Sequence, residues 1–203
     1  MRKCVIIGGG EITAYAEIKK LICENDYIIC CDSGCLHAKA MGLVPSLIVG
    51  DFDSMARPET AVETIVLPCE KDDTDSFFAA KEGLKRGFTD FLLLGMTGGR
   101  LDHTLGAVSI LEYLDAAGAA AQIVDDTTRI RVTRKTLDID KNCRYFSVFA
   151  IGRAEGVSIE NAKYCLDNAI IESTFQYGVS NEPKGTPRVS VKQGKLLIME
   201  IYK

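Results

Sequence analysis

Through roughly the first 125 residues, short unbroken apolar runs alternate with stretches in which apolar positions recur every three or four residues. The runs "KCVIIG", "YIICCD", "LIVGD", "TIVLP", "FLLLG" and "AQIVDD" lack a polar alternation, the mark of parallel strands covered on both faces. Between them, Ile12, Tyr15, Ile18 and Ile22 predict one helix. Phe77, Ala80 and Leu84 predict another, which Gly87 ends just past its cap, and Leu101, Leu105, Val108, Leu111 and Leu114 predict a third.

Beyond about residue 127 the helical period gives way to alternation, in "RIRVT", "RYFSVFAIG", "GVSIEN", "AIIES" and "RVSVKQGKLLIMEIY". The Gln193-Gly194 step in the last of these predicts a hairpin. The chain therefore reads as α/β, an N-terminal open doubly wound, mostly parallel, Rossmann-like sheet over 1–126. A C-terminal all-β sandwich follows over 127–203.

Composition narrows the setting. With 203 residues, 47% hydrophobic and 26% charged, the chain is ordinary globular material. A net charge of -4, from 24 basic and 28 acidic residues, gives no general attraction to nucleic acid or anionic membranes. No apolar stretch suits a signal sequence or a membrane span, so a cytoplasmic location is expected. Cys4, Cys30 and Cys165 sit in strand-like runs and are read as buried thiols. "CCDSGCLH" lacks paired C-x-x-C knuckles, leaving zinc the minor alternative there.

In an open α/β sheet the ligand crevice lies beyond the carboxyl ends of the strands. After the first strand comes "GGGEIT", which reads equally as a flexible turn or as a loop whose amides approach phosphate. The second is followed by Asp32, the third by Asp51 and Asp53, and the fourth soon after by "EKDDTD" with Asp75. In extended geometry Asp51 and Asp53 project together and Phe52 turns away. One D-x-D alone is most often a cap or a solvated turn. Four acids converging from separate strand ends repel unless a cation bridges them, and all-oxygen ligands suit Mg²⁺ or Mn²⁺. Asp72 or Thr74 is placed to cap the helix of Phe77.

The fifth strand leads into "GMTGGRLDHTLG", where a Gly98-Gly99 turn opens a helix carrying Arg100, Asp102 and His103. Free amides, guanidinium and imidazole there make an anion site facing the acids; alternatively, Arg100 and Asp102 pair with each other and His103 is an ordinary helix residue. Polyphosphate with magnesium satisfies both halves. Neither a P-loop nor a G-x-S-x-G elbow is present, and only two histidines are, which argues against P-loop and Ser-His-Asp chemistry.

"CDSGCLHAKAMGLVPSLIVGDFDSM", "KDDTDSFFAAKEGL", "LGMTGGRLDHTLGAVSILEYL", "LDNAIIESTFQYGVSNEPKG" and "KLLIMEI" resemble, in order and spacing, the thiamine pyrophosphokinase family. The resemblance runs from about residue 31 to the C-terminus, and its GDFDS, KDxTD and GGRLDH blocks are together highly specific. It implies an ATP-binding α/β domain, a sandwich that contributes to thiamine binding, and a homodimer with sites at the subunit interface. The implied reaction is attack of the thiamine hydroxyl on the β-phosphorus of ATP, giving thiamine diphosphate and AMP.

Carried over by position, Asp32, Asp51, Asp53 and Asp75 are implied as metal and phosphate-end residues, with Asp51, Asp53 and Asp75 catalytic and Asp72 and Thr74 nearby. Arg100, Asp102 and His103 fall to the nucleotide, Lys71 to phosphate or to solvent, and Ser180 and Asn181 to thiamine or to a simple turn. Some members place a stacking tryptophan in the last strand, where Ile198 stands here, which bears on acceptor selectivity. The alternatives are pyrophosphate transfer to another small alcohol such as a pterin, or a non-catalytic nucleotide or thiamine sensor.

Overall fold

A computed structural model describes residues 2–52, 60–70 and 72–203. The chain forms two compact units, Met1–Asp126 and Thr127–Lys203. Among the described residues no helix is long and apolar enough to cross a membrane.

Among the described residues the first unit holds six strands: β1 (Cys4–Ile7), β2 (Tyr27–Cys31), β3 (Leu47–Gly50), β4 (Glu63–Val66), β5 (Asp90–Leu94) and β6 (Ala120–Val124). They lie in the order β6-β5-β1-β2-β3-β4, every neighbouring pair parallel. The described connections between them carry the helices α1 (Tyr15–Lys19), α2 (Gly34–Ala40), α3 (Asp75–Lys85) and α4 (Leu101–Ala116). Val5, Ile7, Ile28, Cys30, Leu92 and Leu94 pack with Ile12, Ile18, Ala38 and Met41 on one face. On the other, Gly83 of α3 comes so close that a Cβ there would stand 2.6 Å from Phe91 and 3.1 Å from the Cys4 sulfur. Helices on both faces explain the unbroken apolar runs. Because β1 has β5 on one side and β2 on the other, the winding reverses there, and their carboxyl ends flank the topological switch point.

The helices depart from the pattern in two places. The first is only five residues, because the N–H groups of Lys20, Leu21 and Ile22 bond three residues back and tighten it to a close. In α4 the buried face is Ala107, Ile110, Leu111 and Leu114, while Leu101 and Leu105, expected in the stripe, are exposed. The expected end of α3 is found, with Gly87 at φ 86° donating to the Leu84 carbonyl.

The second unit is a sandwich of β7 (Thr128–Thr133), β8 (Leu137–Asp138), β9 (Tyr145–Ala150), β10 (Arg153–Ala162), β11 (Leu166–Glu172), β12 (Gly178–Asn181), β13 (Pro183–Ser190) and β14 (Leu196–Ile201). One antiparallel layer runs β12-β9-β14-β7 and the other β11-β10-β13-β8. Phe146, Val148, Leu196 and Ile198 from the first meet Ala154, Val157, Ile159, Ile171 and Val189 from the second.

Three expectations are corrected here. The strands on either side of Gln193-Gly194 belong to different layers, so that step is a crossover and not a hairpin. A glycine turn marks where the chain bends, but not which neighbour the next strand takes. Cys165 is exposed, between β10 and β11, its thiol donating to the Ala162 carbonyl; Cys4 and Cys30 are buried. Ile198, fully buried in the sandwich core, is no wall for a ligand.

Candidate active site

Beyond the carboxyl ends of the first unit's strands lies a crevice of about 1000 Å³. Its walls include Gly9, Gly10 and Glu11 after β1, Cys31, Asp32 and Ser33 after β2, and Asp51 after β3. Thr74, Asp75 and Ser76 at the start of α3, and Gly98, Gly99, Arg100, Asp102 and His103 at the start of α4, complete them.

Each acid arrives by a separate local device. Asp32 follows β2 directly in a left-handed conformation, φ 43°. Gly50 lets β3 pass beside it, since a Cβ there would fall 1.9 Å from Asp32 Oδ1. Asp75 is the first residue of α3, placed by Thr74, whose hydroxyl accepts from the Phe77 N–H at 3.2 Å. Asp51 follows β3 directly, but the chain then turns, with Phe52 at φ 55°. Phe52 is thus left-handed and not extended as expected, while the direction of Asp53 lies outside the described residues. Asp53 and Lys71 lie outside the described residues.

Asp32, Asp51 and Asp75 each bring a carboxylate oxygen within 4.8 Å of the others. Desolvation, then the hydrogen bond and charge of Asp75, push the Asp32 carboxyl up to about 7, against a backbone hydrogen bond from Phe52 that pulls it down. Asp32 Oδ1 is buried with no hydrogen-bond partner among the described residues. A tight all-oxygen set with an orphaned buried oxygen fits a hard divalent cation and does not suit zinc, which prefers nitrogen and sulfur.

Another part of the lining has the features of an anion site. Gly98 and Gly99 turn with φ 85° and 63°, conformations that cost other residues strain, and aim the start of the 16-residue α4 at the crevice. Arg100 pairs with Asp102, Nη2 to Oδ2 at 2.5 Å and Nε to Oδ1 at 3.2 Å, so the local pairing is the one found. The pair is exposed, and the Arg100 hydrogen bond holds the Asp102 carboxyl down at about 2. Asp72 is exposed and does not line the crevice, and its neighbour Asp73 is taken by Lys81.

In the second unit Ser180 is exposed at φ 56°, its N–H on the Ser147 hydroxyl. Asn181 is buried, accepting from the Tyr164 N–H at 3.0 Å and donating to the Tyr164 carbonyl at 2.7 Å. Its amide is thus committed to holding the chain at Tyr164.

Several residues of the first unit that support the crevice were not anticipated. Asp126, just past β6, accepts from Thr13 N–H at 2.8 Å, from the Thr13 hydroxyl and from Ala14 N–H at 3.1 Å, capping α1 from another part of the chain. Asp125 accepts from the Thr97 hydroxyl at 2.7 Å, bracing the loop after β5. The sequence clue was the acid pair closing "AQIVDD", at a strand end on the same edge. Glu11, Ser33 and Ser76 also line the crevice.

Two family models match. "Thiamin pyrophosphokinase, catalytic domain" covers residues 18–123. "Thiamin pyrophosphokinase, vitamin B1 binding domain" covers residues 128–196. The thiamine pyrophosphokinase of Bacillus subtilis (strain 168) is 26% identical over 192 residues, 90% of each chain. Its fold is shared: the crystal structure of thiamine pyrophosphokinase from Bacillus subtilis matches with a TM-score of 0.89 at 24% identity, over 98% of this chain and 99% of that one. That of thiamin pyrophosphokinase from Geobacillus thermodenitrificans matches at 0.84 and 26%, over 99% and 98%. Yeast thiamin pyrophosphokinase keeps the fold at 17% identity, with a TM-score of 0.78 over 98% and 86%. The chain belongs to the thiamin pyrophosphokinase family and carries that family's activity, transfer of pyrophosphate from ATP to thiamine.

Proposed function

We propose that the crevice is where this transfer takes place, and that Mg²⁺, with Mn²⁺ as substitute, is the cation it uses. The observation that carries the reading is the meeting of Asp32, Asp51 and Asp75 in the crevice that the Gly98–Gly99 turn also lines, at the switch point of the sheet. Asp32, Asp51 and Asp75 would hold the ion, joined by Asp53 on the resemblance. When bound, it supplies charge neutralisation and Lewis acidity at the phosphate oxygens.

The chain's own groups do the rest. Amides of the Gly98–Gly99 turn and the first turn of α4 bind and orient the phosphate chain, with Arg100 and His103 beside them and Lys71 on the resemblance. Arg100 reaches the nucleotide by giving up its partner Asp102, an exchange that costs little at an exposed pair. Asp51, Asp53 and Asp75 are the carboxylates available to accept the proton of the thiamine hydroxyl. Thr74 acts from the base of this group by setting the start of α3, and Asp72 is kept near the nucleotide on the resemblance alone.

The second unit is proposed to contribute to thiamine binding through Ser180, with Asn181 fixing the strand that presents it. A homodimer, as the family resemblance implies, is part of the reading, as is a cytoplasmic setting, which the eight free cysteines suit.

The test is product analysis with ATP, thiamine and Mg²⁺. The expected products are AMP and thiamine diphosphate, identified by mass, with no AMP when thiamine is withheld. Release of ADP, or AMP formed equally well without thiamine, overturns the reading.

A further inference from the structure

Behind the glycine loop that follows β1 stands a half-buried histidine outside the acid cluster and outside the crevice lining. His37 Nε2 lies 2.8 Å from the Gly10 carbonyl oxygen, and His37 Nδ1 lies 2.8 Å from the Tyr15 hydroxyl. A carbonyl only accepts, so Nε2 carries the hydrogen; in the neutral ring Nδ1 is then the acceptor and Tyr15 the donor. The relay ties α1 through α2 to the loop.

Gly10 is held from its other side as well, its N–H donating to the Gly95 carbonyl at 2.7 Å. The peptide joining Gly10 to Glu11 is trans, so its C=O and N–H point in opposite directions. Holding the carbonyl on His37 therefore turns the Glu11 N–H away from α2. A Cβ on Gly98 would stand 3.7 Å from the Glu11 nitrogen, which puts that amide beside the turn proposed to bind phosphate. Glu11 and Gly98 both line the crevice.

We propose that His37, backed by Tyr15, is a positioning residue for the nucleotide: it fixes the Gly10–Glu11 peptide so that the loop's amides meet the phosphate chain already oriented. The proposal rests on the nucleotide reading of the crevice given above. Two sides of the substrate site are then set by different means, one by glycine backbone and a helix start, the other by a side chain pulling on a carbonyl.

Three variants test it: His37→Ala, His37→Gln and Tyr15→Phe. Each is measured for calorimetric binding of a non-hydrolysable ATP analogue with Mg²⁺, for KM of ATP and of thiamine separately, and for thermal midpoint. In His37→Ala the analogue is expected to bind about tenfold more weakly and KM for ATP to rise similarly, the worth of one lost orienting hydrogen bond, with KM for thiamine unchanged. A glutamine amide can take the place of Nε2 and donate to Gly10, so His37→Gln recovers most of the loss. Tyr15→Phe, which removes one hydroxyl and keeps the ring, is expected to weaken binding by about two- to threefold and carries the test if His37→Ala fails to fold.

Unchanged analogue binding in His37→Ala and Tyr15→Phe overturns the proposal. So does equal impairment in the alanine and glutamine variants, or a parallel rise in both KM values. Wild-type protein that binds the analogue but forms no thiamine-dependent AMP sinks the functional reading instead, and the binding comparison among variants still decides the role of His37.

Discussion

Glu200 of the sandwich and the half-buried Asp32 of the crevice each take a carboxylate oxygen out of solvent, and the two are treated in opposite ways. In the sandwich, Glu200 is 0% exposed and fully supplied: Arg131 reaches Oε2 at 2.8 Å, Arg129 lies at 3.8 Å, and the Asp140 N–H donates to Oε1 at 2.7 Å. The arrangement follows from strand register, since Arg129 sits opposite Glu200 on β7 and Arg131 two residues on shares its face. In the crevice, Asp32 has carboxylates for neighbours, keeps a buried oxygen without a partner among the described residues, and holds its proton up to about 7. A buried charge that is paired and hydrogen-bonded has its desolvation offset and is costly to disrupt, whereas crowded carboxylates are the arrangement a proposed cation site needs. What distinguishes the two acids is the company each keeps: guanidiniums and an amide around Glu200, carboxylates around Asp32.

The largest effect expected from breaking this contrast is on the sandwich side. Glu200→Ala leaves two guanidiniums and an amide facing a void and is expected to cost about 3–5 kcal/mol of stability, read by denaturant unfolding. Asp51→Asn is expected to do the reverse, lowering turnover by about 10²–10³-fold, near 3–4 kcal/mol of barrier. It should leave unfolding unchanged or shifted toward greater stability, because one of three crowded charges is gone. An Asp51→Asn protein that unfolds early yet turns over normally in its folded fraction would assign that acid to structure.

Asn181 and its neighbour Ser180 sharpen the comparison within one strand. Asn181→Ala strands the Tyr164 N–H and carbonyl and is expected to cost about 1–3 kcal/mol by denaturant titration. Ser180→Ala is expected to change stability by less than about 0.5 kcal/mol while raising KM for thiamine. Equal stability losses in the two would erase the distinction drawn between them.

What could be read from the sequence is what the chain encodes within a few residues. Six unbroken apolar runs became β1 to β6, and acids at successive strand ends converged because parallel strands end on one edge. What could not be read was set by backbone conformation or by distant partners. The left-handed Phe52 has no marker in "GDFDS", so the two-residue alternation looked safe there. Asp126 caps Thr13 and Ala14 across more than 110 residues, and His37 finds Gly10 across 27. No periodicity reports such pairs. Leu101 and Leu105 kept the helical period without the burial, since a stripe shows which side of a helix is apolar and not what covers it.

The smallest expected effect follows from the unmet carboxyl. Asp32 titrates near 3.8 when unfolded and at about 7 when folded. Between those values the native protein keeps a proton that the unfolded chain has released, so the contribution of this group to stability falls as pH rises from about 4 to 7 and is constant above. Asp32→Asn removes the titration. The thermal midpoint of metal-free wild type, taken relative to that variant, is therefore expected to decline by a few degrees across this window. Magnesium competes with the same proton, so millimolar Mg²⁺ should raise the wild-type midpoint at pH 8 and do little at pH 5. Parallel profiles for wild type and variant, with or without the ion, would mean that Asp32 is as well supplied as Glu200, and the contrast between the two acids would fail.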